Sequence, residues 1–389
     1  MIEKRAMGKT GDSSSILGFG CMRLPLKGPK PGDIDLELAQ KMVRSAIDRG
    51  VDYVDTAYVY HTSGAFGTSG ASEPFLAQAL KDGYRQRVKI ATKLPLWTIK
   101  SKADMNKFLD LQLKNLDTNY IDYYLAHGFG NSTWEPMKEL KILEFFDEAV
   151  KDGRILYPSF SFHDEYPLFE TILKSYDWSM CQIQYNFLDT KYQAGQAGLK
   201  LAAQRNVAIV IMEPLRGGFL VRFMPSEAEQ FLKEARPDWS LAAWCLNWLW
   251  NQPEVGVVLS GMSDMAQVDD NVSVAQKYRP GTFTQADEAL IQRVQVLFQD
   301  RIKVNCTGCG YCQPCPSGVD IPQNLSFLNQ YNMFEAQEAR NHYKWAYGLM
   351  VPATSRADLC VSCGECVDRC PQGIPIPEFL DQTVKTFQG

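Results

Sequence analysis

The sequence predicts an α/β protein in which a (β/α)8 TIM barrel is followed by a small, mainly α-helical domain. Two observations support this prediction. Up to residue 280, short apolar runs rich in β-branched and aromatic residues alternate with longer amphipathic segments. Eight of the eleven cysteines then fall within the last 84 residues. A chain of 389 residues has room for a barrel of about 250 residues and a second, smaller domain.

Eight segments have the length and composition of buried parallel strands. The segments between them have helical periodicity, as in Leu36 to Ile47, where apolar residues recur every three or four positions. Eight such units indicate a TIM barrel. A doubly wound sheet is the alternative, but no G-x-G-x-x-G follows the first strand. The predicted strands are Ile16–Met22, Tyr53–Ala57, Val88–Leu94, Ile121–His127, Ile155–Phe162, Cys181–Asn186, Ala208–Pro214 and Val255–Gly261.

One further helix is expected after the last strand. Thr284 and Asp287 have the spacing of a helix cap, and an apolar face follows from Leu290 to Phe298. We expect this helix to pack on the barrel. The predicted domains are therefore the barrel with its closing helix, residues 1–300, and a second domain, residues 301–389.

Composition limits the classes of partner. The chain is 45% hydrophobic and 22% charged, and its net charge at pH 7 is −5 without any long basic run. Binding to nucleic acid or to an anionic membrane therefore has no electrostatic basis. The N-terminal residues lack the apolar core of a signal peptide, and the longest apolar stretch, Leu241 to Trp250, is about half of a membrane span. We expect a cytoplasmic protein.

The cysteines near the C-terminus form two motifs, C-x2-C-x2-C-x2-C-P and C-x2-C-x2-C-x3-C-P. Two-residue spacers let three thiolates converge on one iron–sulfur cube, while the fourth cysteine, before proline, can reach a second cube. Zinc is the alternative, but a four-ligand zinc site fits this repeated pattern poorly. The predicted metal ligands are Cys306, Cys309, Cys312, Cys315, Cys360, Cys363, Cys366 and Cys370.

These motifs resemble those of two-cluster bacterial ferredoxins. The 44 residues between the motifs, with the sequence C-P-S-G-V-D-I-P, resemble the α-helical ferredoxin modules of larger redox enzymes. The resemblance implies a ferredoxin-like domain with two 4Fe-4S clusters and crossed ligands. The first motif departs from the pattern, because two residues rather than three precede its last cysteine. The implied sets are Cys306, Cys309, Cys312 and Cys370 for one cluster, and Cys360, Cys363, Cys366 and Cys315 for the other.

Polar residues follow three consecutive predicted strands. Asp55 and Tyr60 follow the second strand, Lys93 the third and His127 the fourth. The carboxyl ends of barrel strands meet at one rim, where the chemistry of TIM barrels takes place. A lysine cation lowers the high pKa of a tyrosine, and a carboxylate would hold that lysine in place. His127 would orient a substrate carbonyl next to Tyr60, which would act as general acid or base.

This order of residues resembles the catalytic tetrad of the aldo-keto reductases. The similarity extends over residues 3 to 275 and includes L-G-F-G-C-M-R-L-P from Leu17, S-E at Ser72, Q-I-Q-Y-N from Gln182 and E-P-L-R-G-G from Glu213. With the cysteine-rich tail, the chain is similar to the iron–sulfur-bearing branch of that family. The resemblance implies NADH or NADPH across the barrel mouth. The implied cofactor-binding residues are Ser161 and Gln184 at the carboxamide, and Leu215, Arg216 and Gly217 at the pyrophosphate.

Three positions depart from the family pattern. Phe162 stands where the family has asparagine, Met212 stands where many members stack a tyrosine, and Gln267 stands where NADPH-specific members carry arginine. No basic residue of this loop could pair with a 2′-phosphate. NADH and NADPH therefore both remain candidates.

The sequence favours reduction of a small-molecule carbonyl to an alcohol, or the reverse. Nicotinamide delivers two electrons as hydride whereas a cubane accepts one, so coupling to the clusters needs a mediator. One alternative is an electron-transfer reductase that uses flavin, an external ferredoxin or another electron carrier; another is a non-catalytic redox-sensing module. Aromatic residues in the loops after the second and fourth strands, Phe66, Phe129 and Trp134, suggest an apolar substrate.

Overall fold

The computed structural model of the protein describes residues 1–64, 68–306 and 308–388. It divides into two compact units. The first contains residues 1–217 and 239–284, and the second contains residues 218–238 and the chain from residue 285 onward. No helix in the described part of the chain has the length and apolar character needed to cross a membrane.

The first unit is a closed barrel of eight parallel strands, which confirms the predicted fold. An antiparallel hairpin of β1 (Lys4–Ala6) and β2 (Ser13–Ser15) precedes it. All eight predicted strands are present, with ends that differ by no more than three residues. The barrel strands are β3 (Leu17–Gly20), β4 (Tyr53–Asp55), β5 (Lys89–Leu94), β6 (Ile121–Phe129), β7 (Ile155–Phe162), β8 (Met180–Gln184), β9 (Ala208–Met212) and β10 (Val257–Ser260).

Helices follow the strands, as the periodicity predicts. The first begins after Asp35, whose carboxylate accepts a hydrogen bond from the Leu38 N–H at 3.1 Å. The α-helices are α1 (Leu36–Asp48), α2 (Ser72–Ala79), α3 (Lys102–Asn115), α4 (Trp134–Glu139), α5 (Ile142–Lys151), α6 (Tyr166–Ser175), α7 (Gly195–Gln204), α8 (Phe219–Arg222), α9 (Ser226–Ala235), α10 (Leu241–Trp250), α11 (Met265–Lys277), α12 (Gln285–Gln299), α13 (Ile321–Met333), α14 (Gln337–Met350), α15 (Glu365–Asp368) and α16 (Ile376–Phe387).

Apolar side chains fill the lower part of the barrel. Met7, in the turn of the hairpin, packs with Tyr53, Tyr123, Met180 and other buried residues that point inward from the strands. Gly18 lies where a Cβ atom would come within 2.8 Å of the Val257 and Leu259 side chains, so a larger residue would not fit there. Because the lower interior is packed, polar side chains concentrate at the carboxyl ends of the strands.

The second unit is mainly helical, in agreement with the prediction. Its core is formed by apolar residues of α13 and α16, including Ile321, Leu325 and Leu380, and the motif cysteines pack around that core. On the other side, Tyr347 of α14 stacks on Phe387 of α16 with 4.3 Å between ring centroids. The core therefore supports the two cysteine motifs directly.

Helix α12 is the helix predicted to close the barrel, but it belongs to the second compact unit. Its Asp287 pairs with Arg236, which follows α9, at 2.6 and 3.0 Å, and its Phe298 packs on Phe334 with 5.6 Å between ring centroids. The compact units therefore do not coincide with the predicted boundary at residue 300. The assignment of residues 1–300 and 301–389 to separate domains stays a prediction.

Candidate active site and cluster sites

Lys93 is the centre of a buried polar cluster at the barrel mouth. Its Nζ atom lies 2.8 and 2.7 Å from the two carboxylate oxygens of Asp55, 2.7 Å from the Thr56 carbonyl oxygen and 3.2 Å from the Tyr60 hydroxyl oxygen. The Lys93 side chain is only 1% exposed. The structure thus brings together three of the four residues of the predicted tetrad through direct hydrogen bonds.

The strands dictate this arrangement. Asp55 is the last residue of β4, and its register partner on β5 is Ala91, two residues before Lys93. Because side chains alternate across a strand, Ala91 and Lys93 both point into the barrel. Tyr60 lies in the following loop, which Gly70 closes: a Cβ atom on Gly70 would lie 1.9 Å from the Tyr60 carbonyl oxygen. Only glycine allows this close approach.

A second buried cluster supports β5 from the outer side. Glu73 accepts hydrogen bonds from Thr92 Oγ1 at 2.7 Å and from Gln112 Nε2 at 2.5 Å. The same Gln112 amide also donates to the Lys93 carbonyl oxygen at 3.2 Å. Burial raises the pKa of Glu73, and these donors oppose that shift. Strand β5 is therefore held at Lys93 through its carbonyl oxygen, and at the preceding residue through the Thr92 hydroxyl.

The electrostatics favour a protonated Tyr60 beside a charged Lys93. Burial alone would lower the pKa of Lys93, but Asp55 and Tyr60 outweigh it and raise that pKa, so the ammonium is maintained. Burial raises the pKa of Tyr60, and Lys93 opposes that rise. The lowering effect of Lys93 predicted from the sequence is present, but burial exceeds it. Since Lys93 donates to the Tyr60 oxygen, the phenol proton is left to face the barrel mouth.

His127 completes the group as a neutral imidazole. Burial, together with the charge of Lys93, holds its pKa well below the ordinary value. Its Nδ1 atom is buried and has no hydrogen-bond partner, and its ring centroid is 6.3 Å from that of Tyr60. Trp97, which the sequence did not single out, lies 5.0 Å from the same ring in the turn that follows β5. A buried, partnerless nitrogen next to a phenol suits a carbonyl-binding position.

The two residues predicted to bind the carboxamide, Ser161 and Gln184, both make hydrogen bonds to other protein groups in the structure. Ser161 accepts from the Gly128 N–H at 2.8 Å and donates to the Ala126 carbonyl oxygen at 3.4 Å. Gln184 donates to Asp189 at 3.2 Å. Asp189 also lies 3.7 Å from Arg216 and thereby links two of the predicted cofactor contacts. Sequence reasoning missed Asp189, which lies five residues beyond β8 and carries no motif.

Gln182 is a further candidate that the sequence analysis did not select. It lies on the same inward face of β8 as Gln184, because side chains two residues apart share a face. Its Nε2 atom is 3.6 Å from the Met212 sulfur, and its Oε1 atom is buried without any hydrogen-bond partner. An orphaned amide oxygen in this position fits a ligand amide such as that of nicotinamide. The repeated Q-x-Q spacing was the signal that could have identified it.

The turn after β9 holds the residues predicted at the pyrophosphate. Glu213, Arg216, Gly217 and Gly218 all have positive φ values, between 48° and 91°. Successive backbone N–H groups in a turn can form a concave binding place for an anion. The structure therefore places Leu215, Arg216 and Gly217 in one tight turn, and their contact with a cofactor stays a prediction.

Two aromatic residues proposed to favour an apolar substrate lie elsewhere. Phe129 and Trp134 are fully buried and pack on each other, and Phe129 also contacts Phe160 and Trp178. The change of register in β6 between Ala126 and Phe129 directs Phe129 into the surrounding core. These two residues therefore give no support for an apolar substrate, and that expectation stays a prediction. Phe66 lies outside the described residues. Trp97, in contrast, contacts the His127 ring of the site.

The cysteines of the second unit line two cavities. One is lined by Cys306, Cys309, Cys312 and Cys370, and the other by Cys315, Cys360, Cys363 and Cys366, with Cys312 also on its wall. Each cavity therefore contains three cysteines of one motif and the last cysteine of the other. In the described part of the chain, no three His, Cys, Asp or Glu side chains converge closely enough for a single metal ion. The repeated motifs, each with three cysteines in one cavity and the last in the other, suit a cluster better than a four-ligand zinc site.

A closed parallel barrel with an ion-paired lysine, a tyrosine and a neutral histidine at its mouth is the arrangement of a barrel oxidoreductase. Comparison with protein families agrees with this class. The model of the Aldo/keto reductase family matches residues 16–291, and that of the 4Fe-4S dicluster domain matches residues 305–374. The chain belongs to the aldo/keto reductase family, and it is an oxidoreductase of that type with a 4Fe-4S domain.

Relatives and solved structures share the barrel part. The chain is 25% identical over 308 residues to the "Uncharacterized oxidoreductase YqkF" of Bacillus subtilis, which covers 72% of this chain and 92% of the relative. An aldo-keto reductase of Bacillus halodurans in its holo form is 27% identical, with a TM-score of 0.62 over 76% of this chain and 96% of that one. An aldo-keto reductase of Klebsiella pneumoniae in complex with NADPH, at 21% identity and a TM-score of 0.60 over 76% of this chain and 96% of that one, shows the shared fold.

Proposed function

We propose that the protein interconverts a small-molecule carbonyl and an alcohol with NADH or NADPH, and that Tyr60 is the general acid and base. The observation that carries this proposal is the Lys93 ammonium, which is within hydrogen-bond distance of both Asp55 and Tyr60. A buried lysine that serves only packing would be costly, whereas here its charge faces a phenol that must donate a proton.

The nicotinamide cofactor, when bound, supplies or accepts the hydride. Ser161, Gln184, Leu215, Arg216 and Gly217 are the proposed contacts, and the orphaned Gln182 oxygen joins them as an acceptor for the carboxamide N–H. The Tyr60 hydroxyl donates its proton to the carbonyl oxygen as negative charge develops there, and the Lys93 ammonium stabilises the resulting phenolate. His127 orients the carbonyl. In the reverse direction the Tyr60 phenolate accepts the alcohol proton.

The raised pKa of Tyr60 predicts opposite pH profiles for the two directions. Reduction requires the protonated phenol, so its kcat should be constant from about pH 7 to about pH 9 and fall above about pH 10, the ordinary range of tyrosine. Oxidation requires the phenolate, so its kcat should rise over the same alkaline range. Both profiles can be measured with a panel of aromatic aldehydes and the matching alcohols. A reduction rate that increases with pH would contradict the assignment.

The cofactor preference is proposed to be NADH over NADPH. At the start of α11, Asp264 accepts from the Gln267 N–H at 2.8 Å and from its side-chain amide at 2.9 Å. The resemblance places the 2′ position of the cofactor at this loop. A carboxylate there would repel a 2′-phosphate, and residues 260–271 include no lysine or arginine to pair with one.

We therefore expect NADH to bind at least about tenfold more tightly than NADPH, a difference of about 1.4 kcal/mol. Gln267→Arg should narrow or reverse the ratio by adding a phosphate partner. Fluorescence titration of the purified protein with each cofactor measures both dissociation constants. The control is Gln230→Arg, an exposed glutamine of α9 outside the barrel loops, which should leave the ratio unchanged. Tighter NADPH binding by the unmodified protein would refute the preference.

For the second unit we propose two 4Fe-4S clusters with crossed ligands, because each cavity contains three cysteines of one motif and the last of the other. Cys309 and Cys363 are exposed, and each has an exposed apolar neighbour, Tyr311 and Val361 respectively. A cluster with an exposed cysteine ligand can exchange electrons at the protein surface, so we propose that both clusters can also accept electrons from, or donate them to, an external carrier such as a ferredoxin. Coupling of the clusters to the nicotinamide would then need a one-electron mediator, for which flavin is the candidate.

A further inference from the structure

The imidazole of His61 joins two loops at the barrel mouth. Its Nε2 atom is 3.2 Å from the Leu24 backbone nitrogen, and its Nδ1 atom is 2.7 Å from the Pro31 carbonyl oxygen. A backbone N–H only donates and a carbonyl oxygen only accepts. These two contacts fit a neutral ring with its proton on Nδ1, and burial favours the neutral form by lowering the pKa of His61.

The backbone of His61 is in an unfavourable conformation for this residue. Its φ is +62°, in the left-handed region that favours glycine. Left-handed non-glycine residues persist where the surrounding contacts determine the conformation, and these cluster at functional sites. A parallel contact, from the Gly32 N–H to Ser63 Oγ at 2.9 Å, ties the same two loops together.

The residue immediately before His61 is Tyr60. The Tyr60 carbonyl oxygen accepts from the Ser72 N–H at 3.3 Å, and the His61 carbonyl oxygen accepts from the Ala71 N–H at 3.2 Å. These bonds connect the start of the loop to the residues at the beginning of α2. The His61 ring connects the same part of the loop to residues 24–31. The Tyr60 hydroxyl, 3.2 Å from Lys93 Nζ, extends from this stretch of backbone.

We propose that His61 is a positioning residue for Tyr60: its neutral ring clamps the Tyr60 loop to residues 24–31 and so holds the phenol against Lys93. This inference rests on the proposed function and deepens it. His61 acts through Tyr60 and through the backbone, and it transfers no proton to substrate. Its removal should lower the rate of the proton-transfer step while leaving cofactor binding intact.

The test compares His61→Gly with the unmodified protein. Glycine accepts the left-handed backbone but removes both hydrogen bonds. We expect kcat for aromatic aldehydes to fall about 10- to 100-fold, as for a displaced catalytic group, with the NADH dissociation constant within about twofold and a Tm within about 4 °C. His61→Asn, which tolerates the backbone and keeps one donor, should lose less. Added imidazole should restore part of kcat in His61→Gly but none in Tyr60→Phe.

The matched control is Asp117→Gly, which replaces another left-handed residue, with φ +49°, at an exposed turn. It should leave kcat unchanged. Unaltered kcat in His61→Gly would overturn the proposal, and so would an equal loss in His61→Gly and Asp117→Gly. Inactivity of the unmodified protein toward every aldehyde would instead count against the proposed function.

A second measurement does not depend on activity. Long-range ¹H–¹⁵N NMR of the histidine-labelled protein, which has four histidines, reports the tautomer of each ring. The His61 signal is identified by its absence in His61→Gly. We expect a neutral ring protonated on Nδ1 at pH 7.5. A ring protonated on Nε2, or one exchanging between both tautomers, would overturn the clamp.

Discussion

Tyr60→Phe should reduce kcat for carbonyl reduction by about 10²- to 10⁴-fold, the range for loss of a general acid. The substitution removes one oxygen, which accepts from Lys93 and presents its proton to the barrel mouth. The NADH dissociation constant should stay within about twofold, because the phenol makes none of the proposed cofactor contacts. Steady-state kinetics with aromatic aldehydes and a fluorescence titration with NADH measure both quantities.

Tyr58→Phe is the matched control. Tyr58 lies two residues earlier, is buried, and packs edge-on against Phe108 with 5.1 Å between ring centroids. Loss of its hydroxyl should change kcat by less than about twofold if only the tetrad phenol has a chemical role. Full turnover in Tyr60→Phe would refute the assignment of the acid. Equal losses in both variants would show that the effect is structural.

Removal of one cluster ligand should have the second large effect, on iron content. We expect about eight iron atoms per chain in the unmodified protein and about four in Cys363→Ala, since a cubane with three cysteine ligands is readily lost. Iron analysis and the visible absorption of the anaerobically purified protein measure this. Cys245→Ala, in which a buried cysteine of α10 outside both motifs is replaced, should retain the full content.

Paired substitutions test the crossing of the ligands. If Cys315 belongs with Cys363, as the lining of the second cavity suggests, the double variant Cys315→Ala/Cys363→Ala should lose one cluster and keep about four irons. The variant Cys306→Ala/Cys315→Ala should lose both clusters. Uncrossed ligands would give the reverse result, with iron retained in the second variant and absent from the first.

Much of the fold was predictable because it depends on local composition. The eight strands are short runs of apolar, β-branched residues, and turn residues bound them closely enough to place each end within three positions. The grouping of the predicted tetrad residues was predictable for a related reason: Asp55, Lys93 and His127 follow consecutive strands, and parallel strands deliver their ends to one rim. No long-range information is needed for either inference.

Other features depend on contacts between distant segments, which periodicity does not reveal. The Gln184 amide donates its N–H to Asp189 in the following loop, whereas the Gln182 amide oxygen stays without a partner. The direction of Phe129 depends on the register change in β6, where Gly128 has a φ of +73°. The packing of α12 depends on Arg236, some 50 residues earlier in the chain. The Q-x-Q spacing marks Gln182 itself, but none of these long-range contacts leaves a sequence pattern.

The relation between hydride chemistry and the clusters can be decided from the product. Direct reduction transfers the nicotinamide hydrogen to the carbonyl carbon, and the Tyr60 proton goes only to oxygen. Electrons that pass through flavin or a cluster would be joined by hydrogen from the solvent. The hydrogen on the carbinol carbon therefore comes from the nicotinamide in the first route and from the solvent in the second, for any aldehyde.

The most direct test is reduction of an aromatic aldehyde by NADH that carries one deuterium at C4. The alcohol product is then analysed by mass spectrometry. Both C4 epimers should be used, so that one always delivers deuterium. The account predicts one deuterium on the carbinol carbon with one epimer, and almost no product from Tyr60→Phe. Unlabelled alcohol from both epimers would contradict direct hydride transfer.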